Sequence, residues 1–342
     1  MQRILVTGGL GFIGSHTVVE LQQAGYDVVI IDDLSNSQLS VLDRITSITG
    51  MKPDFHQFDL KEKEKVHQFF QQEKIDGVIH FAASKAVGES VNEPLKYYEN
   101  NINTLVYVLK AMNNNQVENF IFSSSCTVYG QADELPITES APVKTAESPY
   151  GNTKQIGEEI LKETTTVSNL NGIALRYFNP IGAHASAKIG ELPIGVPQNL
   201  IPYITQTAIG IREELSIFGD DYPTEDGTAI RDYIHVVDLA KAHIKALERL
   251  IENRNKEKYE VFNVGTGSGS SVLEIVKAFE KATNQDLAYK IVERRAGDIT
   301  AAFADTTLAE KELNWKAELT LEDCLLSAWN WQKKIHENTL VE

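Results

Sequence analysis

Residues 1–33 leave few folds open. Arg3-Ile4-Leu5-Val6-Thr7 is a short apolar run rich in β-formers. It leads into Gly8-Gly9-Leu10-Gly11-Phe12-Ile13-Gly14, then into helical periodicity from Ser15 to Ala24 that Gly25 stops. Asp27-Val28-Val29-Ile30-Ile31 reads as a second buried strand, ending at Asp32-Asp33. Strand, glycine loop, helix, strand and acid together make a dinucleotide-binding unit. The glycines let backbone N–H groups approach a pyrophosphate at the helix N-terminus. Asp32 is placed to accept hydrogen bonds from an adenosine ribose. A carboxylate there repels a 2′-phosphate, which favours NAD over NADP as cofactor. The expected fold class is α/β, a doubly wound parallel sheet of the Rossmann type with a smaller, mixed α/β C-terminal substrate domain.

Further strand and helix patterns extend this unit. Phe55 to Phe58 leads to Asp59-Leu60, and Gly77-Val78-Ile79-His80-Phe81 is a central strand ending at Ala82-Ala83-Ser84-Lys85. Pro94 to Asn115 has the periodicity of a long helix, and its Asn100 reads equally well as inward-facing or as a surface polar residue. After the strand Gly172 to Arg176 the regular alternation is lost. We therefore expect an NAD-binding domain over 1–178 and a mainly substrate-binding domain over 179–342, with returns to the sheet near 235–264. The glycines Gly265, Gly267 and Gly269 follow a strand and precede a helix, yet no Lys or acid completes a phosphate loop, so a turn is expected.

A second constellation lies far along the chain. Asn119-Phe120-Ile121-Phe122 is a buried strand pattern that breaks into Ser123-Ser124-Ser125, and Tyr150-Gly151-Asn152-Thr153-Lys154 should open a helix. A Tyr and a Lys four apart lie on one helix face. A nearby ammonium, joined by a positively charged nicotinamide, favours the phenolate, so Tyr150 is expected below the ordinary phenol pKa of about 10. Such a Tyr takes and returns a proton, and Ser125 at the strand end is placed to share it. Tyr-x-x-x-Lys alone occurs by chance in many helices; the dinucleotide unit gives it meaning.

Composition narrows the setting. The chain has 342 residues, 42% hydrophobic and 23% charged, as in globular proteins. No apolar run is long enough to span a membrane, and no signal peptide precedes the first strand, so a cytoplasmic location is expected. Cys126 and Cys324 form no metal or disulfide framework. Cys126 reads either as a reactive thiol or as a small buried hydrophobe, the second being favoured because no cationic partner is evident. A net charge of −16 argues against nucleic-acid binding and requires that cations for any anionic ligand be gathered locally.

The spacing Gly8-x-x-Gly11-x-x-Gly14 together with Tyr150-x-x-x-Lys154 resembles the extended short-chain dehydrogenase/reductase family. Further matching stretches are Lys85-Ala86-Val87-Gly88-Glu89-Ser90, Arg176-Tyr177-Phe178-Asn179-Pro180 and Asp221-Tyr222-Pro223-Thr224-Glu225-Asp226-Gly227-Thr228, closed by Arg231-Asp232-Tyr233-Ile234-His235-Val236. The pattern runs nearly the length of the chain, to Leu313-Asn314-Trp315, and is similar to the branch that acts on nucleotide sugars. That resemblance implies reversible epimerisation of a UDP-hexose at C4 through a transient 4-keto sugar, with tightly bound NAD. Tyr150 would be the base, with Lys154 and Ser125 beside it. The cofactor would be held by Gly8, Gly11, Phe12, Ile13, Gly14, Asp32, Asp33, Asn36, Ser37, Asp59, Leu60, Phe81, Ala82, Ala83, Lys85, Asn100 and Phe178, together with Tyr150 and Lys154. The substrate would meet Ser125, Tyr150, Asn179, Asn199, Leu200, Phe218, Arg231, Arg295, Asp298 and Ala302, the two arginines taking the diphosphate. The resemblance implies no metal, and a homodimer built on the helices Pro94–Asn115 and Gly151–Ser168.

Relatives that eliminate or decarboxylate after oxidation carry an acid just after the active-site Ser or Thr; here Cys126-Thr127 stands in that place. An NAD-binding regulator without chemistry would be expected to have lost Tyr150, Lys154 or Ser125, and all are present. Ala302 stands where many bacterial members of this branch have Tyr. The missing ring would leave room for a 2-N-acetyl group, unless Phe303 refills the gap.

Overall fold

The computed structural model describes residues 1–295 and 298–339. In chain order its strands are β1 Arg3–Thr7, β2 Asp27–Asp32, β3 Asp54–Gln57, β4 Gly77–His80, β5 Asn119–Ser123, β6 Asn171–Tyr177, β7 Asn179–Ile181, β8 Leu215–Phe218, β9 Ile230–Arg231, β10 Tyr233–His235, β11 Tyr259–Val264, β12 Ser270–Ser271, β13 Tyr289–Val292 and β14 Ala301–Ala302. The helices are α1 Phe12–Gln23, α2 Ser40–Thr49, α3 Lys63–Gln72, α4 Val87–Asn92, α5 Pro94–Asn114, α6 Pro149–Val167, α7 Leu200–Ala208, α8 Val236–Ile251, α9 Val272–Thr283, α10 Thr307–Leu313 and α11 Leu321–Thr339.

Among the described residues the main sheet has seven strands in the order β11-β6-β5-β4-β1-β2-β3, every neighbouring pair parallel. Its strands β1, β2, β4 and β5 are apolar on both faces, as a sheet covered on both sides requires. Ile4, Val6, Val28, Ile30, Ile79, Ile121 and Ile173 pack in one core beneath α1 and α8. Their alternates Leu5, Val29, Ile31, Val78 and Phe120 pack in a second core with residues of α3, α5 and α6. The period of two along each strand thus feeds two cores at once. Strand order reverses between β1 and β4, and a crevice at such a reversal is where an α/β sheet binds ligands. The edge strand β11 comes from the C-terminal half of the chain and pairs with β6 from Tyr259↔Gly172 to Val264↔Tyr177.

Beyond β6 the chain builds small sheets on one side of this crevice. β7 pairs with β10, β8 with β13, and β9 lies between β12 and β14. Behind them a third core gathers Ile204, Ile217, Ile275, Phe279, Leu325 and Trp329 from α7, β8, α9 and α11. The turn Gly265–Gly269 does not present its amides to a ligand. Thr266 N, Gly267 N and Thr266 Oγ1 all donate to the carboxylate of Asp232, at 2.8, 3.2 and 2.7 Å.

Candidate active site

The glycine loop is shaped by close approach of backbone to backbone. Gly8 has φ +66° and its amide donates to Ile31 O at 2.8 Å. A Cβ on Gly14 would fall 2.2 Å from Gly8 O, so α1 reaches this close to β1 only without a side chain there. The N-cap of α1 is Gly11, which has no side chain to occupy the first amides of the helix. In front of them opens a cavity of about 1000 Å³. A nucleotide-sized cradle with uncapped helix amides at its base fits a dinucleotide pyrophosphate.

The cavity is lined by the predicted residues Gly8, Gly11, Phe12, Ile13, Gly14, Asp32, Asp33, Asn36, Ser37, Asp59, Leu60, Phe81, Ala82, Ala83, Lys85, Asn100, Tyr150 and Lys154. Asp32 also has a scaffolding task. Its Oδ2 accepts from Leu10 N at 3.0 Å, and its Oδ1 from Leu34 N at 3.0 Å and Ser37 Oγ at 2.7 Å, so it ties the glycine loop to the segment after β2. Burial raises its pKa above the usual carboxylate range, against these hydrogen bonds. Asn100 faces inward and donates to Ser84 Oγ at 3.2 Å. Phe178 is not among the lining residues. It lies in an apolar cluster with Val128, Tyr129, Ile137, Ala302 and Ala304, while Tyr177 lines the cavity in its stead. Successive side chains of extended backbone point opposite ways, which separates the two rings.

Helix α6 delivers the proton-handling groups. Ser148 caps it, accepting from Gly151 N at 3.1 Å, and Pro149 opens its first turn. Tyr150 and Lys154 follow on its buried face. Lys154 Nζ donates to Ser123 O at 2.6 Å and lies 5.8 Å from the centre of the Tyr150 ring. Burial lowers Lys154 to about 8. Burial raises the pKa of Tyr150, the neighbouring Tyr177 adds to the rise, and a hydrogen bond with Ser125 only partly opposes it. Among the protein's own groups burial prevails, so a lowered value depends on the nicotinamide charge as well. Ser125 caps the turn Cys126–Tyr129, its Oγ accepting from Thr127 N at 3.2 Å and Thr127 Oγ1 at 3.0 Å. The Cys126 thiol is pushed up to about 12, first by burial, which favours the packing reading over a reactive thiol.

Of the residues expected to meet a substrate, Tyr150 and Asn199 line the cavity, while Asn179, Phe218, Arg231 and Ala302 lie on the small sheets and not among its lining residues. Asp298 sits between two guanidinium groups, 3.5 Å from Arg231 and 3.0 Å from Arg295. Arg295 stacks over Phe218 at 4.8 Å. The two guanidinium groups are thus brought together around one carboxylate. Asn179 begins β7, its amide donating to Asp232 O at 2.9 Å. Ala302 is buried beside Arg231 in the β14–β9 register. Phe303 is turned toward Gly269, where a Cβ would meet its ring at 3.0 Å, and Ala302 packs with Val128, Tyr129, Ile137 and Phe178, outside the residues that line the cavity.

One carboxylate escaped sequence reasoning. Glu191 Oε1 accepts from Asn199 Nδ2 at 2.5 Å and from Lys85 Nζ at 3.4 Å, and Leu200 opens α7 next to it. No local pattern marks Glu191; its partner Lys85 lies 106 residues away. The lining residues Tyr177 and Trp331 were missed for the same reason.

Residues 4–265 match the NAD dependent epimerase/dehydratase family. The chain is 51% identical over 330 residues to the UDP-glucose 4-epimerase of Bacillus subtilis, covering 96% of each. A crystal structure of the UDP-glucose 4-epimerase from Stenotrophomonas maltophila with bound NAD and formylated UDP-arabinopyranose is 48% identical, with TM-score 0.95 over 99% of this chain and 100% of that one. That from Bifidobacterium longum, in complex with NAD+ and UDP, is 48% identical with TM-score 0.93, covering 97% and 98%.

Proposed function

The chain belongs to the NAD dependent epimerase/dehydratase family, and from that premise we infer that it interconverts UDP-glucose and UDP-galactose at C4 with tightly held NAD. One observation carries this reading. Tyr150 and Lys154 line, from one buried helix face, the same cavity that starts at the uncapped amides of the glycine loop. NAD, when bound, supplies the acceptor and later donor of the C4 hydride, together with a positive ring charge that favours the phenolate.

Tyr150 takes the proton of the sugar 4-hydroxyl, and Ser125, hydrogen-bonded to it, stands between phenol and sugar oxygen. Lys154 grips the cofactor side of the cavity while its carbonyl partner Ser123 O fixes where its charge sits. The 4-keto sugar then has to turn over while tethered, which places the anchor at the nucleotide end. Arg231 and Arg295 hold the diphosphate, Asp298 keeps the two guanidinium groups together, and Phe218, Asn179, Asn199 and Leu200 border the nucleotide and sugar. The division near Asn179 then separates an NAD-binding part, completed by α8 and β11, from a UDP-sugar part. The test is product analysis from UDP-glucose. UDP-galactose that keeps its C6 hydroxyl is expected, since Cys126 and Thr127 offer no carboxylate for elimination. A 4-keto-6-deoxy sugar would overturn the reading.

Three finer points belong to this proposal. The small side chain of Ala302, in the position where the resemblance expects a Tyr ring, is the ground for UDP-N-acetylglucosamine as a second substrate; a related structure holds a formylated UDP-sugar. The protein pairs as a homodimer through α5 and α6, which pack on each other and leave Leu95 80% and Val167 86% exposed. Sedimentation at twice the chain's 38.1 kDa is the expected outcome. It works in the cytoplasm; no helix among the described residues is long and apolar enough to cross a membrane.

A further inference from the structure

The face of α6 that carries Tyr150 and Lys154 continues to Glu158, one turn on, and all three side chains are buried. Three elements of the main sheet meet this carboxylate. From β6, Arg176 Nε donates to Oε1 at 2.9 Å and Nη2 to Oε2 at 2.5 Å, the two-pronged geometry of a strong ion pair. From the end of β5, Ser124 Oγ donates to Oε1. From β11, the Tyr259 hydroxyl donates to Oε2 at 3.2 Å. Arg176 in turn donates to the Tyr129 hydroxyl at 3.0 Å, which donates to Asn263 Oδ1 at 2.7 Å. The side chains of Arg176 and Glu158 are only 7% and 8% exposed.

The location of Ser124 gives this network its interest. It lies between Ser123, whose carbonyl holds Lys154 Nζ, and Ser125, whose hydroxyl meets Tyr150. A buried ion pair is a poor device for stability alone, because apolar residues of similar volume serve as well or better. What it adds is a fixed register. We propose that Glu158, clamped by Arg176, is a positioning residue for the epimerisation: through Ser124 it sets the Ser123 carbonyl and the Ser125 hydroxyl against Lys154 and Tyr150. This rests on the reading of Tyr150 and Lys154 as the proton-handling pair.

The charge of Glu158 works in the same direction as its geometry. Burial makes Lys154 lose its proton more readily, and Glu158 opposes that loss. The groups facing the pair are Tyr150 on α6, Ser123 and Ser124 on and beside β5, His80 on β4, Arg176 and Tyr177 on β6, Tyr129 in the short turn and Tyr259 on β11. His80 is held neutral, pushed down to about 3 by burial. Among these named groups Glu158 is the anion.

Ser124→Ala, Glu158→Gln and the apolar pair Glu158→Leu/Arg176→Met test the idea on the purified holoenzyme. Four quantities are read: kcat and KM for UDP-galactose, NAD retained through gel filtration, Tm, and the alkaline limb of the kcat–pH profile. Ser124→Ala removes one hydroxyl and should keep NAD, Tm and KM while kcat falls on the order of 10- to 100-fold, the usual cost of a small misplacement. Glu158→Gln should also move the alkaline limb to lower pH, since Lys154 loses its anion. The apolar pair should fold and keep NAD, yet share the low kcat. Wild-type kcat in Ser124→Ala and the apolar pair would overturn the proposal. So would parallel loss of Tm, NAD and kcat with an unmoved limb, which is the mark of a merely structural role. If Glu158→Gln fails to fold, Ser124→Ala decides. Near-normal kcat in Tyr150→Phe would instead sink the reading of the pair on which the proposal rests.

Discussion

At the scale of single residues the proposed chemistry turns on Tyr150. Its phenol is raised by burial and held by Ser125, while Lys154 commits its ammonium to Ser123 O. The base is therefore prepared in position but not in charge, and the positive nicotinamide has to complete it. Tyr150→Phe keeps the ring and removes the ionisable oxygen. It should fold, keep its NAD and lose about 10²-fold or more in kcat, the usual share of a general base. Steady-state kinetics beside nucleotide content checks this, and a kcat near wild type would remove Tyr150 from the role. Ala302 carries the second expectation at this scale. Its methyl packs with Val128, Tyr129, Ile137 and Phe178, beside the strand that bears Arg231. Ala302→Tyr adds a ring where one or two extra heavy atoms already cost about 1–3 kcal/mol in a packed site. It should lower kcat/KM for UDP-N-acetylglucosamine far more than for UDP-glucose. An equal fall for both, or a wild type that ignores the acetylated sugar, would contradict the idea that pocket volume sets breadth.

At the scale of elements the decisive unit is β1, the glycine loop and α1. Its legibility in sequence follows from its being local. Gly8, Gly14 and Asp32 are set by distances the chain itself dictates over one strand, one turn and one helix. Gly14→Ala would bring a Cβ to 2.2 Å from Gly8 O, with no flexible side chain to yield. Nucleotide released on denaturation should fall well below one per chain in that variant, while the far-UV spectrum stays helical; full occupancy would contradict the close-approach argument. Other assignments required partners far away in the chain, and there sequence reasoning fell short. Glu191 is defined by Lys85 and Asn199, and no spacing rule joins them. Phe178 was chosen by its neighbours in a motif, yet the alternation of extended backbone turns it into an apolar cluster and gives the cavity to Tyr177. The lowered pKa expected for Tyr150 counted on the ammonium and the nicotinamide together, while among the protein's own groups burial prevails. Glu158 could have been found, since it stands one turn beyond Lys154 on the same face.

At the scale of the whole molecule, a chain of net charge −16 brings Arg231 and Arg295 together around Asp298, the cations that the proposed function assigns to a diphosphate. The interior also carries a pH signature. Burial lowers His16 and His80 to about 3, and His235 and His243 to about 4, from an ordinary value near 6.5. The unfolded chain thus binds more protons than the folded one once pH drops below about 6.5. Stability is full above that value and is lost as pH falls toward the folded values. Buried Asp32, Asp232 and Asp238 are raised and act in the opposite sense as pH falls through their folded values. Tm should therefore fall as pH drops from about 6.5 to 5, and an unchanged Tm over that window would contradict the neutral-histidine interior. The central claim, that one cavity holds NAD and the proton-handling pair for a closed oxidation and reduction of a UDP-hexose, is tested most directly by one incubation. Purified protein is given UDP-galactose and no added nucleotide, and UDP-glucose is measured. The account predicts many turnovers per chain without exogenous NAD, since the hydride is returned in each cycle. No UDP-glucose, or formation only in proportion to added NAD, would contradict it.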